Sequence, residues 1–370
     1  MAPGVEMYDQ PSHSIPYASK PIDSSFIRDA FVLDGHSFPE DPQLNLKVTA
    51  NRYRWGTRTD RPGGVTLLFF HAIGCHKEQW EPVIQRLFRQ SHSLQCETQI
   101  REIWAFDREN HGDAAILNRG ALERWPACLP INEWALTVTE MIRSKLQGHR
   151  VVAVGHSAGA GVAMLTMKYA YDARIKFLGT VIIEPTIFTR QMFRDTYDER
   201  IAGIKMSEKV TLRRKDNWAS REEALNYMKH RPPWSTWDES VLKLYIEHGL
   251  RVTGPDGTVT LKCSKEKESA IYADIDGLQE SAEIFGALCR EVPIHVVWGG
   301  KHDFTSFSPQ LKTDLLNPDS GRIAATVTVV PGGGHMVPLQ QPTRLADTLS
   351  QILDTLPCPV TFIPKMLAKL

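Results

Sequence analysis

VVAVGHSAGAGVAM, residues 151–164, is the stretch on which the reading of this chain turns. Its first four residues, three of them valine, make a short apolar run of the kind found in a strand buried on both faces. Gly155-His156-Ser157-Ala158-Gly159 follows, and then a run of small residues suited to a helix start. A strand, a sharp turn carrying Gly-x-Ser-x-Gly, and a helix is the setting that lifts a serine hydroxyl above the carboxyl edge of a sheet. The two glycines suit a place where strand and helix nearly touch, and the N–H groups at the helix start face whatever bonds to the serine oxygen. By itself the pattern is also an ordinary Gly/Ser turn. The strand before it and the partners further along make Ser157 the candidate nucleophile.

Working outward, apolar runs and amphipathic stretches alternate. Residues 65–71 (VTLLFFH), 103–107 (IWAFD), 179–184 (GTVIIE), 294–298 (IHVVW) and 325–330 (ATVTVV) read as strands. Residues 77–90 place Trp80, Val83, Ile84, Leu87 and Phe88 on one helical face, and residues 131–146 and 342–353 are further helices. The alternation predicts an α/β fold with a mostly parallel sheet and helices on both faces. Residues 44–55 read as a strand or hairpin. Residues 1–43, polar and rich in Pro, Ser and Asp, read as an N-terminal extension. After Pro185 the rhythm breaks: residues 186–290 are more charged, with helical patterns at 221–230 and 239–248 and a turn at Pro255-Asp256-Gly257. Inserted between two core strands, they read as a helical cap over the carboxyl ends of the sheet, where ligands bind. The expected division is a core of 44–185 and 291–357, a cap of 186–290, and a tail of 358–370.

Composition narrows the classes. The 370 residues carry 43 Lys and Arg against 43 Asp and Glu, a net charge of zero, so no nucleic acid or other polyanion is implied as a partner. No apolar run is long enough for a membrane span, and MAPGVEMYDQ has no apolar core for a signal peptide. Cys75, Cys96, Cys128, Cys263, Cys289 and Cys358 are scattered with no CxxC pair, which reads as reduced intracellular thiols. The chain ends in Ala368-Lys369-Leu370, a close variant of the Ser-Lys-Leu address; this predicts recognition by the peroxisomal import receptor and a peroxisomal location.

A serine hydroxyl needs a base to take its proton. His335 is the candidate: it lies in Pro331-Gly-Gly-Gly-His335, a loop between the last strand and the last helix, and three glycines let that loop bring an imidazole across to Ser157. A carboxylate must orient the imidazole. Two qualify, Glu184 at the end of one strand and Asp303 beyond the end of the next, and the order Ser, acid, His suits both. Asp303 also reads as the N-cap of residues 305–308, and Glu184 as a strand-end carboxylate lining the pocket. The oxyanion needs two N–H donors; Ala158, after the serine, and Ile73, in His71-Ala-Ile-Gly74, are placed to supply them. His71 reads as a residue that orients its loop. Asp107-Arg-Glu-Asn-His-Gly-Asp113 reads as a hydrogen-bonded structural loop beside the site, and no His or Cys spacing argues for a metal. The chemistry needs no cofactor.

Taken together, Gly155-His-Ser157-Ala-Gly159, the His71–Gly74 loop, Asp107-Arg-Glu-Asn-His-Gly112 and Gly334-His335 resemble the α/β-hydrolase superfamily, in order and over roughly residues 44–355. Ala72 stands where a glycine is usual. An acid at 303 lies one residue late relative to Gly299, while some lipases of this superfamily take their acid from the preceding strand, followed by proline, as at Glu184-Pro185. More narrowly, Glu247-His-Gly-Leu250, Asp256-Gly257, Leu261-Lys-Cys263 and the C-terminal tripeptide resemble the fungal peroxisomal α/β-hydrolases of toxin and mycophenolic acid biosynthesis. The resemblance implies a serine hydrolase that cleaves an ester or an acyl-CoA thioester in the peroxisome, acting on a small acyl substrate. A CoA thioester would need cations for its phosphates; Arg213-Arg214-Lys215 could supply them, and reads equally as a solvated basic helix end. An acyltransferase with the same triad, or a binding protein on an inactive hydrolase scaffold, are the alternatives.

Overall fold

The computed structural model describes residues 5–7, 26–35, 45–56, 63–93, 99–125, 128–171, 175–303 and 309–356. In chain order the strands are β1 (Val5–Met7), β2 (Phe26–Asp34), β3 (Lys47–Trp55), β4 (Val65–Phe70), β5 (Ile100–Phe106), β6 (Arg150–His156) and β7 (Lys176–Ile183). After these come β8 (Asn217–Trp218), β9 (Leu250–Val252), β10 (Val259–Leu261), β11 (Ile294–Gly299) and β12 (Thr326–Val330). Nine of them form one sheet in the order β1-β2-β3-β5-β4-β6-β7-β11-β12. From β5 to β12 all neighbours run parallel, and β1, β2 and β3 are added antiparallel at one edge.

The central strands are apolar because neither face meets water. β4 is buried at every residue, as is β6. Leu68, Phe70 and Ala153 pack into the cluster on one side, with Trp134 and Met164 from the covering helices. Leu67, Phe69, Val152 and Val154 pack on the other, with Trp80, Ile84 and Leu349. Each Leu, Val, Ile, Phe or Met side chain among them contributes about 1.5–3 kcal/mol when removed from water. The chain passes from β4 to β5 on one side and then returns to β6 on the other. This reversal of winding sets the ligand crevice at the carboxyl ends of β4 and β6.

Three expectations change in the structure. Phe26–Asp34 is a sheet strand, so the core begins well before residue 44; it pairs along all nine residues with β3. The helix expected over 77–90 opens as a 3-10 turn, Lys77–Trp80, before the α-helix Glu81–Ser93. Lys77 is buried there because Asp107 and Asp113 take its ammonium, at 2.6 and 2.8 Å. The last helix of the inserted region, Ile275–Leu288, packs on the main core. Its Ala282, Ile284 and Phe285 pack into the main core, and the Ser281 hydroxyl donates to the Gly161 carbonyl at 3.1 Å.

What remains of the insertion has a core of its own, built on Trp218, Met228, Trp234, Tyr245 and Leu250, beside the three-stranded sheet β8-β10-β9. No helix among the described residues is long and apolar enough to cross a membrane. The Ala368–Leu370 address and Cys96 and Cys358 lie outside the described residues.

Candidate active site

The carboxyl ends of β4, β5, β6, β7, β11 and β12 supply the site in turn. β6 ends at His156, and Ser157 follows with φ 56° and ψ −119° as the N-cap of the helix Ala158–Tyr169. The close approach expected of the glycines is present: a Cβ at Gly155 would stand 2.0 Å from the Gly159 carbonyl oxygen, and one at Gly159 2.5 Å from that of Phe70. The Ser157 N–H donates to the Ile183 carbonyl at 2.9 Å, which ties the turn to the end of β7.

The next residue, Glu184, has φ 43°. Among the described residues, Ser157 and Glu184 are the only non-glycine positions with positive φ. Backbone strain of this kind persists only where the surroundings hold it, and it collects at functional sites. Glu184 is held twice: its own N–H donates to the Val297 carbonyl at 2.8 Å, and its Oε1 accepts from the Gly299 N–H at 2.6 Å.

His335 lies between the two. Its Nε2 accepts from the Ser157 hydroxyl at 3.1 Å, and its Nδ1–H donates to Glu184 Oε2 at 3.3 Å. All three side chains are buried. Lys312, its ammonium 4.3 Å from the centre of the Trp298 ring, stands 3.6 Å from Glu184 Oε1.

The alternatives left open for the acid thus take different places. Asp303 is exposed and does not meet the imidazole; its Oδ1 accepts the backbone N–H of His335 at 2.7 Å. It braces the glycine loop, together with Gln340, whose Oε1 accepts from the Gly334 N–H at 2.6 Å. The residues that Asp303 would cap lie outside the described residues.

Ala158 and Ile73 both line the cavity at Ser157, with their N–H-bearing segments at the helix start and in the loop after β4. That loop is fastened from below. The Gly74 N–H donates to His111 Nε2 at 3.0 Å, and His71 Nε2 accepts the Arg108 N–H at 3.2 Å. Burial pushes the His71 imidazole down to about 3, so it stays neutral and keeps that acceptor. Asp107 is buried and accepts from the Thr49 hydroxyl at 2.8 Å, the Lys77 N–H at 2.9 Å and the Asp113 N–H at 3.0 Å. The 107–113 loop is a hydrogen-bonded scaffold under the site.

One participant escaped the sequence. His156, the first variable residue of Gly-x-Ser-x-Gly, donates from Nε2 to the His335 carbonyl at 2.7 Å and so ties the backbone of the His335 loop to the end of β6. Burial, helped by the nearby His335, lowers its pKa to about 3. The unfolded chain takes up this proton near pH 6.5 while the folded protein refuses it, so stability is lost as pH falls from about 7 towards 4. Melting temperatures across that window are expected to fall less steeply in His156→Gln than in the wild type; parallel slopes contradict this.

A cavity of about 930 Å³ opens above Ser157, lined by Ile73, Ala158 and His335 and, from the inserted region, by Arg200, Ile204 and Trp234. Of the three basic residues Arg213-Arg214-Lys215, two are paired with carboxylates. The Arg214 guanidinium pairs with Glu268 at 2.9 Å, and the Lys215 ammonium with Glu223 at 2.8 Å. Arg213 remains, exposed at the cavity edge.

Comparison with known proteins agrees with this architecture. Residues 67–348 match the model of the alpha/beta hydrolase family. The chain is 23% identical over 356 residues to the peroxisomal membrane protein LPX1 of Saccharomyces cerevisiae, with 89% of each chain covered. It is 25% identical over 236 residues to the abhydrolase domain-containing protein ACTT2-1 of Alternaria alternata, covering 56% of this chain and 84% of that one. The solved structure of the yeast peroxisomal alpha-beta-hydrolase Lpx1 superposes with a TM-score of 0.67 at 19% identity, over 90% of both chains. With more than half its length matched, the chain belongs to the alpha/beta hydrolase family and is a hydrolase.

Proposed function

We propose that the chain hydrolyses a carboxylic ester, with Ser157 as nucleophile, His335 as base and Glu184 as the orienting acid. The observation that carries the reading is the continuous relay from Ser157 Oγ through His335 to Glu184, buried and opening on the cavity. Ser157 Oγ attacks the acyl carbonyl carbon while its proton passes to His335 Nε2. The resulting imidazolium keeps its Nδ1–H on the Glu184 carboxylate, whose charge offsets it. Backbone N–H groups of Ala158 and Ile73 hold the oxyanion. Collapse expels the leaving oxygen, which takes the proton from Nε2. Water, deprotonated by the same nitrogen, then attacks the acyl-enzyme, and the acid leaves with Ser157 restored.

Ester cleavage is favoured over acyl-CoA cleavage because Arg214 and Lys215 are already engaged with carboxylates. The test is release of nitrophenol from a series of acyl esters against release of free thiol from matched acyl-CoAs. Ester turnover that disappears in Ser157→Ala supports the proposal. Turnover of thioesters alone would move it to the CoA class, and acyl transfer to an added alcohol without net hydrolysis would replace it with the transferase reading.

The proposal includes a peroxisomal location, supported by the terminal Ala368-Lys369-Leu370 and by the likeness to the yeast peroxisomal membrane protein LPX1. Deleting those three residues is expected to leave a tagged protein in the cytosol; an unchanged peroxisomal pattern rules out this address.

A further inference from the structure

The helix Tyr197–Arg213 turns one face to the cavity, with Arg200, Ile204, Ser207 and Thr211 at successive turns. Four arginines line this space. Arg214 is committed to Glu268, and Arg213 and Arg231 are exposed, the latter stacked 4.6 Å over Tyr227. Arg200 differs. It is half-buried, and its guanidinium is fixed on one edge and one face. Nε donates to the Thr196 hydroxyl at 2.9 Å, and that hydroxyl donates to the Met192 carbonyl at 2.7 Å. Cζ lies 4.2 Å from the centre of the Phe188 ring, which is itself stacked on Phe193 at 5.6 Å. Its two terminal nitrogens have no hydrogen-bond partner among the described residues. Glu199, its neighbour in the chain, is the opposing charge beside it, and burial outweighs that charge and draws the guanidinium's pKa down.

A partly dehydrated guanidinium, oriented at no further cost and with two parallel N–H groups unused, matches the fork of one carboxylate. Arg200 and Ser157 line the same cavity of about 930 Å³, so a ligand in that space meets both. One fixed guanidinium, with Glu199 adjacent, suits one negative charge rather than the two of a phosphate. We propose that Arg200 is the anion-binding end of the cavity and that the enzyme's substrates carry a carboxylate, on the acyl or the leaving side of the scissile ester. This rests on the ester-hydrolase reading above.

The test uses two pairs of compounds. In the first, mono-4-nitrophenyl esters of dicarboxylic acids are set against 4-nitrophenyl esters of methyl-ended acids of equal length. In the second, phenyl esters with and without a carboxylate on the phenol are compared. The readout is the ratio of kcat/KM, charged over neutral, in wild type, Arg200→Gln and Arg200→Lys. The same pairs are titrated calorimetrically into Ser157→Ala with and without Arg200→Gln, which needs no turnover. The expected result is a ratio that falls about tenfold to hundredfold in Arg200→Gln, mostly through KM, for the arm that bears the carboxylate. Arg200→Lys, with charge but no fork, should recover part of it. A general loss of folding lowers both members of a pair and leaves the ratio unchanged. A ratio unaffected in both arms and in binding overturns the proposal. A binding ratio that shifts while no ester is turned over keeps the subsite and removes the ester reading; Ser157-dependent turnover with unshifted ratios does the reverse.

Discussion

Ser157→Ala is expected to lower kcat towards any cleaved ester on the order of a million-fold, with the melting temperature little changed. The size follows from the relay: without Oγ, His335 has no proton to accept and no acyl-enzyme forms. The fold should tolerate the change because what holds the turn is backbone. The 157 N–H still donates to the Ile183 carbonyl, and alanine keeps the same strained φ that serine already bears. Paired kinetics and thermal melts check this. A variant that keeps more than a percent of its activity would place the nucleophile elsewhere.

The second large effect separates two carboxylates. Glu184→Gln should cost about ten-thousandfold in kcat, because an amide cannot offset the imidazolium and presents the wrong hydrogen-bonding partner to Nδ1. The substitution is close to isosteric, and the amide oxygen can still accept the Gly299 N–H, so stability should hold. Asp303→Asn should cost less than about tenfold, because the side-chain oxygen that accepts the His335 N–H survives and only its charge is lost. Measuring kcat for the two variants on one ester decides between them. If Asp303→Asn showed the larger loss, Asp303 would be the acid and the Glu184 contact a bystander.

The difference between those two residues shows where sequence reading stops. Ser157 and His335 stood out as candidates because local chemistry marks them: one sits between glycines after an apolar strand, the other after three glycines behind the last strand. The layered parallel sheet was legible for a similar reason, since strands buried on both faces must be apolar throughout. The choice between the two carboxylates was not legible, because Glu184 and Asp303 both follow strand ends and what each one meets depends on sheet order and loop path. With β7 seated between β6 and β11, Glu184 emerges beside Ser157 and under the imidazole, while Asp303 has run on four residues and turned to meet a backbone N–H.

The departure of Phe26–Asp34 has another cause. Its run Ala30-Phe31-Val32-Leu33 is a short apolar strand signal, but the segment sits inside a polar stretch whose average composition hides it. His156 carried no signal, since its role is to hold a carbonyl 179 residues away. Arg200 likewise acquires its meaning only from Phe188 and Thr196 beneath it.

The most direct test of the central claim is covalent labelling of the folded, full-length enzyme with a fluorophosphonate, read by peptide mass mapping and by rate. The account predicts a single adduct on Ser157, none in Ser157→Ala, strongly slowed labelling in Glu184→Gln, and labelling of Asp303→Asn close to the wild-type rate. An adduct on another residue, or a Glu184→Gln variant labelled as fast as the wild type, would contradict it.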